Sequence, residues 1–190
     1  MPIPFAACQR IQGFPVRTRV ALLISVLFVS ACQPSVSAPV AAPTAIDIAS
    51  LEVAIPMEGA LLVADGAPIH YRNNPPASGP YYSEILQYGL YEQDVAEGFW
   101  VHVLERGGIV ILYKCGAECS VLKKEIGDLL DTVPLSKHGT VKLVIVPYEK
   151  MNPLITAVAW NVQLPLEHFD ANLLTEFYNR HVDQGPEDVP

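Results

Sequence analysis

The sequence has little charge, and it is poorest in positive charge. Charged residues make up 17% of its 190 residues, and 12 lysines and arginines stand against 20 acids, which gives a formal net charge of −8. Nucleic-acid binding depends on clustered cations that release counterions from phosphates, so this composition argues against a nucleic-acid partner. A hydrophobic content of 51% argues equally against a disordered chain.

The motifs of the common enzyme classes are also missing. The sequence contains no GxSxG elbow, P-loop, GxGxxG turn or HExxH helix, and no internal repeat. His102 and Glu105 form a single acid/base pair with no nucleophile beside it. These absences favour a non-enzymatic role, although they leave the question of enzyme activity open.

No apolar run is long enough to span a bilayer, which needs about 20 residues. The longest one, residues 20–29, has ten residues and follows three arginines with no acid before it. This is the pattern of a secretory signal. The sequence Val29-Ser30-Ala31-Cys32 then resembles the lipobox of bacterial lipoproteins, in which the cysteine is acylated and becomes the mature N-terminus. We therefore predict a lipoprotein signal peptide over residues 1–31 and lipidation (palmitate) of Cys32. An ordinary signal peptide with a chance cysteine, or an uncleaved anchor, are the alternatives.

This signal predicts a protein of the cell envelope, held at the membrane by its N-terminal lipid and facing the periplasm or the exterior. Gln33 follows the cysteine, and the lack of aspartate there resembles an outer-membrane sorting signal if the host has two membranes. Residues 32–50 are rich in proline, alanine and serine, which predicts a tether. The folded domain is expected over residues 51–190.

Short apolar runs in the first part of the domain predict strands. LEVAI, ALLVA and PIHYR are such runs, and the turn sequence NNPPASGP follows them over residues 73–80. Residues 99–105 alternate between apolar and other side chains before Gly107-Gly108, which predicts a hairpin that turns at the glycines. A helical turn through VHVLER, capped by Gly107, is the competing interpretation.

The second part of the domain shows clearer periods. Residues 120–133 have helical spacing, residues 141–147 and 154–164 predict strands, and Asp170 is a plausible N-cap for a last helix. The fold class predicted is α+β: a single two-layer domain with short strands followed by the order β-α-β-β-α.

Several segments match one family in the correct order. NNPPASGPYY, WVHVLERGGIVILYKC, ITAVAW, FDANLLTEF and a terminal QGPE resemble the bacterial family called domain of unknown function 3105, from about Gly59 to Glu187. The resemblance implies a shared fold and an exported location, and it brings no assigned activity.

The same resemblance implies a departed histidine set. Family members commonly carry histidines that would suit copper or zinc, at positions occupied here by Leu62, Tyr81 and Arg106. His102 remains, which makes it a weak metal candidate. With a cationic Arg106 in that site, we predict instead a pocket for an anionic or polar ligand, and the candidate residues are Tyr81, Tyr82, His102, Glu105 and Arg106.

Cys115 and Cys119 stand in the sequence CGAEC, between a predicted strand and a predicted helix. A structural disulfide suits an oxidising compartment. A redox or metal role remains an alternative, because the spacing resembles the CxxxC of copper-delivering thioredoxin-like proteins and a helix N-terminus lowers thiol pKa values. Free thiols are the third possibility. The leading hypothesis is therefore a lipid-anchored envelope domain that binds a small ligand or a partner protein without cofactor, and the alternative is a thiol-dependent redox or copper- or zinc-handling protein.

Overall fold

A six-stranded mixed sheet organises the domain. The computed structural model describes residues 47–114 and 119–190. The strands that build the sheet are β1 (Val53–Ala54), β4 (Gly89–Leu90), β5 (Ile109–Tyr113), β6 (Leu143–Pro147), β7 (Ile155–Ala159) and β8 (Val162–Leu166), in the spatial order β1-β8-β7-β5-β6-β4. β5 pairs with β6 in parallel and with β7 antiparallel. Strands β2 (Ala60–Val63) and β3 (Gly79–Tyr82) form a separate parallel pair.

Helices cover both faces of the six-stranded sheet. On one face lie α2 (Cys119–Gly127), α3 (Leu129–Thr132) and α4 (Ala171–His181), whose Ile126, Leu129 and Phe177 pack against the sheet. On the other lies α1 (Glu97–Glu105), which packs between the sheet and β3. The α+β class is confirmed. The domain has three layers rather than the two predicted, because the central strands are buried on both faces, as their continuous apolar sequences favour.

The predicted hairpin at residues 99–108 was wrong, and the competing helix is what forms. α1 is buried on nearly every side, so it lacks the polar stripe that makes a surface helix recognisable in a sequence. Gly107 ends the helix at φ +73°, in the left-handed region that a C-terminal cap commonly requires.

Two other strand predictions need correction. Residues 154–164 are not one strand, because the chain reverses at Trp160-Asn161, with Asn161 at φ 62°, to form the β7–β8 hairpin. Residues 68–72 are not a strand either. The carboxylate of Glu58 accepts hydrogen bonds from the backbone N–H groups of Arg72 (2.8 Å) and Asn73 (2.9 Å), which satisfies these donors without a ladder.

Residues near both ends of the described domain take part in its local structure. Asp170 caps α4 by accepting from the backbone N–H groups of Asn172 (2.9 Å) and Leu173 (3.1 Å). A 3-10 turn at Ile48–Ser50 lies in the segment predicted as tether, and its Ile48 is buried in the core. None of the helices in the described ranges has the length and hydropathy that crossing a membrane requires.

Candidate functional site

The NNPPASGP turn is fastened to two other parts of the domain. Its residues 75–79 are buried, and the Asn74–Pro75 peptide bond is cis. The carbonyl of Ala77 accepts from the backbone N–H of Asn161 (2.9 Å), which ties the turn to the β7–β8 hairpin. The hydroxyl of Ser78 accepts from the backbone N–H of Glu58 (2.9 Å). The turn is therefore held in one conformation by contacts distant in sequence.

A cavity of about 330 Å³ opens beside this turn. We call it the NNPP cavity. It is lined by the turn, by the segment before it, by the start of α1 and by the residues after β6: Ile69, His70, Tyr71, Asn73, Asn74, Pro76, Glu97, Tyr148 and Lys150. Its size lies at the lower end of the range of small-molecule sites.

The polar groups of the NNPP cavity hold one another in place. The hydroxyl of Tyr148 lies 2.5 Å from Asn74 Oδ1 and 3.3 Å from Glu97 Oε1. Asn74 Nδ2 donates to the carbonyl of Lys150 (2.6 Å), and Lys150 Nζ lies 2.7 Å from Glu97 Oε1. Burial opposes ionisation of Glu97, but the hydrogen bonds from Lys150 and Tyr148 outweigh it, so the pKa of Glu97 lies below its ordinary value. The cavity thus presents a fixed ion pair and an oriented amide.

Three of the five predicted ligand residues do come together, away from this cavity. The Tyr81 hydroxyl donates to Glu105 Oε1 at 3.3 Å, and the Tyr81 and His102 rings lie 4.7 Å apart. Tyr81 is 9% exposed, His102 7% and Glu105 3%. This Tyr81/His102/Glu105 cluster is therefore part of the packing between β3 and α1, and the NNPP cavity is lined by other residues.

Tyr82 and Arg106 do not join the cluster. The Tyr82 hydroxyl donates to the carbonyl of Ala67 (2.8 Å), and its ring packs on Phe99 at 4.7 Å. Arg106 directs Nη2 to the carbonyl of Pro190 at 2.9 Å. Its guanidinium thus binds the C-terminal residues rather than an open pocket.

Burial shifts the two ionisable groups of the cluster toward neutrality. It lowers the pKa of His102, and the nearby Arg106 adds to this, while the backbones of Tyr82 and Glu84 act in the opposite direction. Burial also raises the pKa of Glu105, and the carboxylate of Glu187 raises it further. Nδ1 of His102 has no hydrogen-bond partner in the described part of the chain.

The shift at Glu105 predicts how stability depends on pH. Because its folded pKa is raised, the folded state binds its proton more tightly, so Glu105 favours folding at low pH and this contribution is lost as pH rises through the folded pKa. We expect Glu105→Gln, which keeps an acceptor for Tyr81, to make the domain more stable at pH 7 and to gain less at pH 4.5. Urea unfolding at the two pH values measures this, with the exposed Glu176→Gln as control. A variant less stable than wild type at pH 7 would contradict it.

A scan against family models matches residues 63–190 to the family described as "Protein of unknown function (DUF3105)". The chain belongs to the DUF3105 family. The match includes the NNPPASGP turn, α1 and the whole of the sheet from β4 onward, so the family resemblance seen in the sequence is confirmed. Neither the curated proteins nor the solved structures contain a match.

The cysteine predictions fall partly outside what the structure describes. Cys32 and Cys115 lie outside the described residues, so lipidation and the pairing of Cys115 with Cys119 stay predictions. Cys119 is half-buried at the start of α2 of the DUF3105 domain. It lines a second cavity of about 360 Å³, whose walls are Lys114, Cys119, Leu122, Glu125, Leu154, His168 and Phe169.

Within the described ranges, the DUF3105 domain gathers no group of three or more histidines, cysteines or acids that could hold a metal ion. His102 has Glu105 on its own helix, and Arg106 follows them. His102 and Glu105 therefore gain no third metal ligand from the described residues.

Sequence reasoning missed the residues that line the NNPP cavity. Asn73 and Asn74 had been assigned only to the turn over residues 73–80. The paired Asn-Asn before Pro-Pro was the available signal, and both amides make hydrogen bonds to residues distant in sequence. Tyr148 and Lys150 gave no signal, since only the fold brings the end of β6 to the turn.

Proposed function

We propose that this protein is a lipid-anchored envelope protein whose DUF3105 domain binds a small polar ligand, without catalysis, in the NNPP cavity. The observation that carries the ligand-binding part is the cavity itself. It is preformed, and its walls are built from the most distinctive turn of the sequence together with α1 and the end of β6.

The lining of the NNPP cavity indicates the chemistry of that ligand. The Asn73 and Asn74 amides line the cavity while they also hold the turn, because Asn73 Nδ2 donates to Glu58 Oε1 (2.7 Å) and Asn74 bonds to Tyr148 and Lys150. The ion pair of Lys150 with Glu97 supplies both a donor and an acceptor. The exposed lining of the cavity is mostly polar, and Ile69, Tyr71 and Pro76 supply its smaller apolar part. An uncharged ligand that carries amide or hydroxyl groups fits this lining.

Calorimetric titration of the detergent-solubilised full chain tests the cavity, with acetyl-dialanine amide as a diamide probe. We expect measurable binding that Lys150→Ala weakens by about tenfold, the equivalent of about 1.4 kcal/mol, because the variant removes a donor and frees the Glu97 carboxylate. Lys124→Ala, at an exposed pair on α2, is the matched control. Equal affinity in wild type and Lys150→Ala would show that the probe binds elsewhere, and no binding of this or of a trehalose probe would count against the proposal.

The anchoring part of the proposal is supported by the lipobox-like sequence before Cys32. We expect Cys32→Ser to abolish acylation and to release the protein from membranes, because the acidic domain has no positive field to hold it at anionic head groups. Labelled fatty acid and membrane fractionation measure both effects, with Cys115→Ser as control. Fatty acid still incorporated into the Cys32→Ser protein would refute the assignment.

A thiol-dependent role is the second candidate, and one observation favours it. Cys119 lines a cavity that also contains His168, at the junction of β5 with α2. A structural disulfide with Cys115 predicts no free thiol in denatured, unreduced protein from the envelope. Two thiols that titrate there, together with copper or zinc binding that disappears in Cys119→Ser, would favour redox or metal handling instead.

A further inference from the structure

Strand β2 is apolar, and its side chains and the edge opposite β3 are exposed to solvent. Leu61 is 62% exposed and Leu62 57%, and because successive side chains of a strand point to opposite faces, both faces of β2 meet solvent. Met57, just before the strand, is also exposed. Edge strands in soluble proteins are usually protected by charge, proline or a covering element. Residues 59–64, GALLVA, contain none of these.

The backbone of β2 is half used. Its sheet partner within residues 47–114 and 119–190 is β3, in the register Ala60 with Gly79 through Val63 with Tyr82. Alternate residues of a paired strand direct their N–H and C=O groups away from the partner. An added strand would satisfy these groups, whereas lipid would not, because hydrocarbon offers no hydrogen bonds.

The acids that flank β2 are turned back into their own domain. Glu58 accepts hydrogen bonds from the backbone of Arg72 and Asn73. Asp65 accepts them from the backbone of Ser83 (2.7 Å) and Glu84 (3.2 Å). The edge is therefore uncharged although the chain as a whole is acidic, so nothing along it opposes the approach of an identical edge.

We propose that β2 pairs antiparallel with β2 of a second copy of this chain, which makes one four-stranded sheet across a two-fold axis. Opposed residues in an antiparallel pair must both point toward the partner or both away from it. The axis must then pass through a residue, and Leu61 or Leu62 lies opposite its own copy. In both registers Glu58 and Asp65 face uncharged residues, so the two copies are complementary without a charge clash.

The expected dimer is weak in free solution. A stable interface buries about 1,200–2,000 Å² in total, more than four strand residues with Met57 supply. Two copies anchored in one membrane meet at a much higher effective concentration. The pairing does not involve the NNPP cavity, so it stands or falls independently of ligand binding.

The test is disulfide cross-linking of the full chain in isolated membranes, with Leu61→Cys, Leu62→Cys and, as a matched exposed apolar control, Leu135→Cys. Leu135 is 65% exposed, beyond α3 and far in sequence from β2. After mild oxidation we expect a dimer on a non-reducing gel from Leu61→Cys or from Leu62→Cys, and only the wild-type background from Leu135→Cys. Adding Lys at the other leucine should abolish the cross-link, because it places a charge on the edge.

Three results would overturn the proposal. One is cross-linking of both β2 variants no stronger than that of Leu135→Cys. Another is a band whose mass differs from that of two chains, which would show that a different protein occupies the edge. The third is protection of both cysteines from a water-soluble maleimide without any cross-link, which would indicate burial in lipid. Since the replaced side chains are exposed, the variants should keep the fold.

Discussion

Replacement of Lys142 by alanine should lower the stability of the domain by about 3–5 kcal/mol. The Lys142 side chain is 1% exposed, and its ammonium lies 2.9 Å from Asp183 Oδ1, on a side chain that is 9% exposed. The same ammonium donates to the backbone carbonyls of Arg106 (3.1 Å) and Val189. Without the ammonium, one buried carboxylate loses its counter-charge and two carbonyls lose their donor. Removal of one partner of a buried ion pair is strongly destabilising because the other charge stays buried without compensation.

Urea unfolding at pH 7 measures this loss, with Lys124→Ala as the matched control. Lys124 also pairs with an aspartate, Asp128 at 2.6 Å, but both side chains are exposed, so its removal should change stability by less than about 0.5 kcal/mol. A loss below about 1 kcal/mol for Lys142→Ala would mean that solvent reaches Asp183 and replaces the lysine.

The pair also predicts a pH dependence of opposite sign to that of Glu105. Burial opposes the ionisation of Asp183, but hydrogen bonds from Lys142 and from the backbone of Lys137 outweigh it and lower its pKa. Because the folded pKa is depressed, the contribution to stability is present above the unfolded pKa of about 3.9 and is lost as pH falls through the folded pKa. We expect Lys142→Ala to reduce this acid sensitivity.

The sequence predicted the elements whose signals are local. The N-cap at Asp170 and the strands β5 and β6 follow from residue types within a few positions, and they are all present. The helix predicted over residues 120–133 forms as two helices, α2 and α3, which separate at Asp128. Helix α1 was assigned to a hairpin because its burial on all sides removed the polar stripe. The β7–β8 reversal was missed because Trp160-Asn161 lacks the glycine that usually marks such a turn.

The candidate site also combines residues that the sequence could group with residues that only the fold brings together. The family resemblance implied that Tyr81, His102 and Glu105 lie in one site, and in the structure Tyr81 contacts both His102 and Glu105. Which side of that face is open depends on Tyr148 and Lys150, which arrive from the end of β6. No local pattern carries this information, because it is set by the parallel pairing of β5 with β6.

Replacement of Gly185 by alanine should also lower the stability of the domain strongly. A Cβ added there would lie 2.2 Å from the backbone nitrogen of Gly107 and 2.4 Å from the carbonyl oxygen of Glu105. The Glu105 carbonyl is the last of α1 and Gly107 follows the helix. Gly107 has φ +73°, and its carbonyl accepts from the backbone N–H of Asp183 at 2.8 Å. Since neither backbone can yield cheaply, we expect Gly185→Ala to cost about 3 kcal/mol, at the upper end of overpacking changes.

Gly127→Ala is the matched control, because a Cβ there meets only Leu90 Cδ2 at 3.6 Å, which is ordinary contact. It lies at the end of α2, where alanine should be neutral or stabilising by up to about 1 kcal/mol. Unfolding of both variants in urea measures the difference, and a Gly185→Ala protein as stable as Gly127→Ala would show that residues 183–190 do not pack on α1 as described.

The double variant Lys142→Ala/Gly185→Ala separates a detached segment from two independent defects. Lys142 and Gly185 both keep residues 183–190 in place. Lys142 binds Asp183 and the carbonyl of Val189, and the absence of a side chain at Gly185 lets the chain pass close to Gly107. Once either change has released the segment, the other has less left to disrupt. The double variant should therefore lose about 1 kcal/mol or more less stability than the sum of the two single losses. A loss equal to that sum would mean that the buried ion pair survives when the segment is displaced.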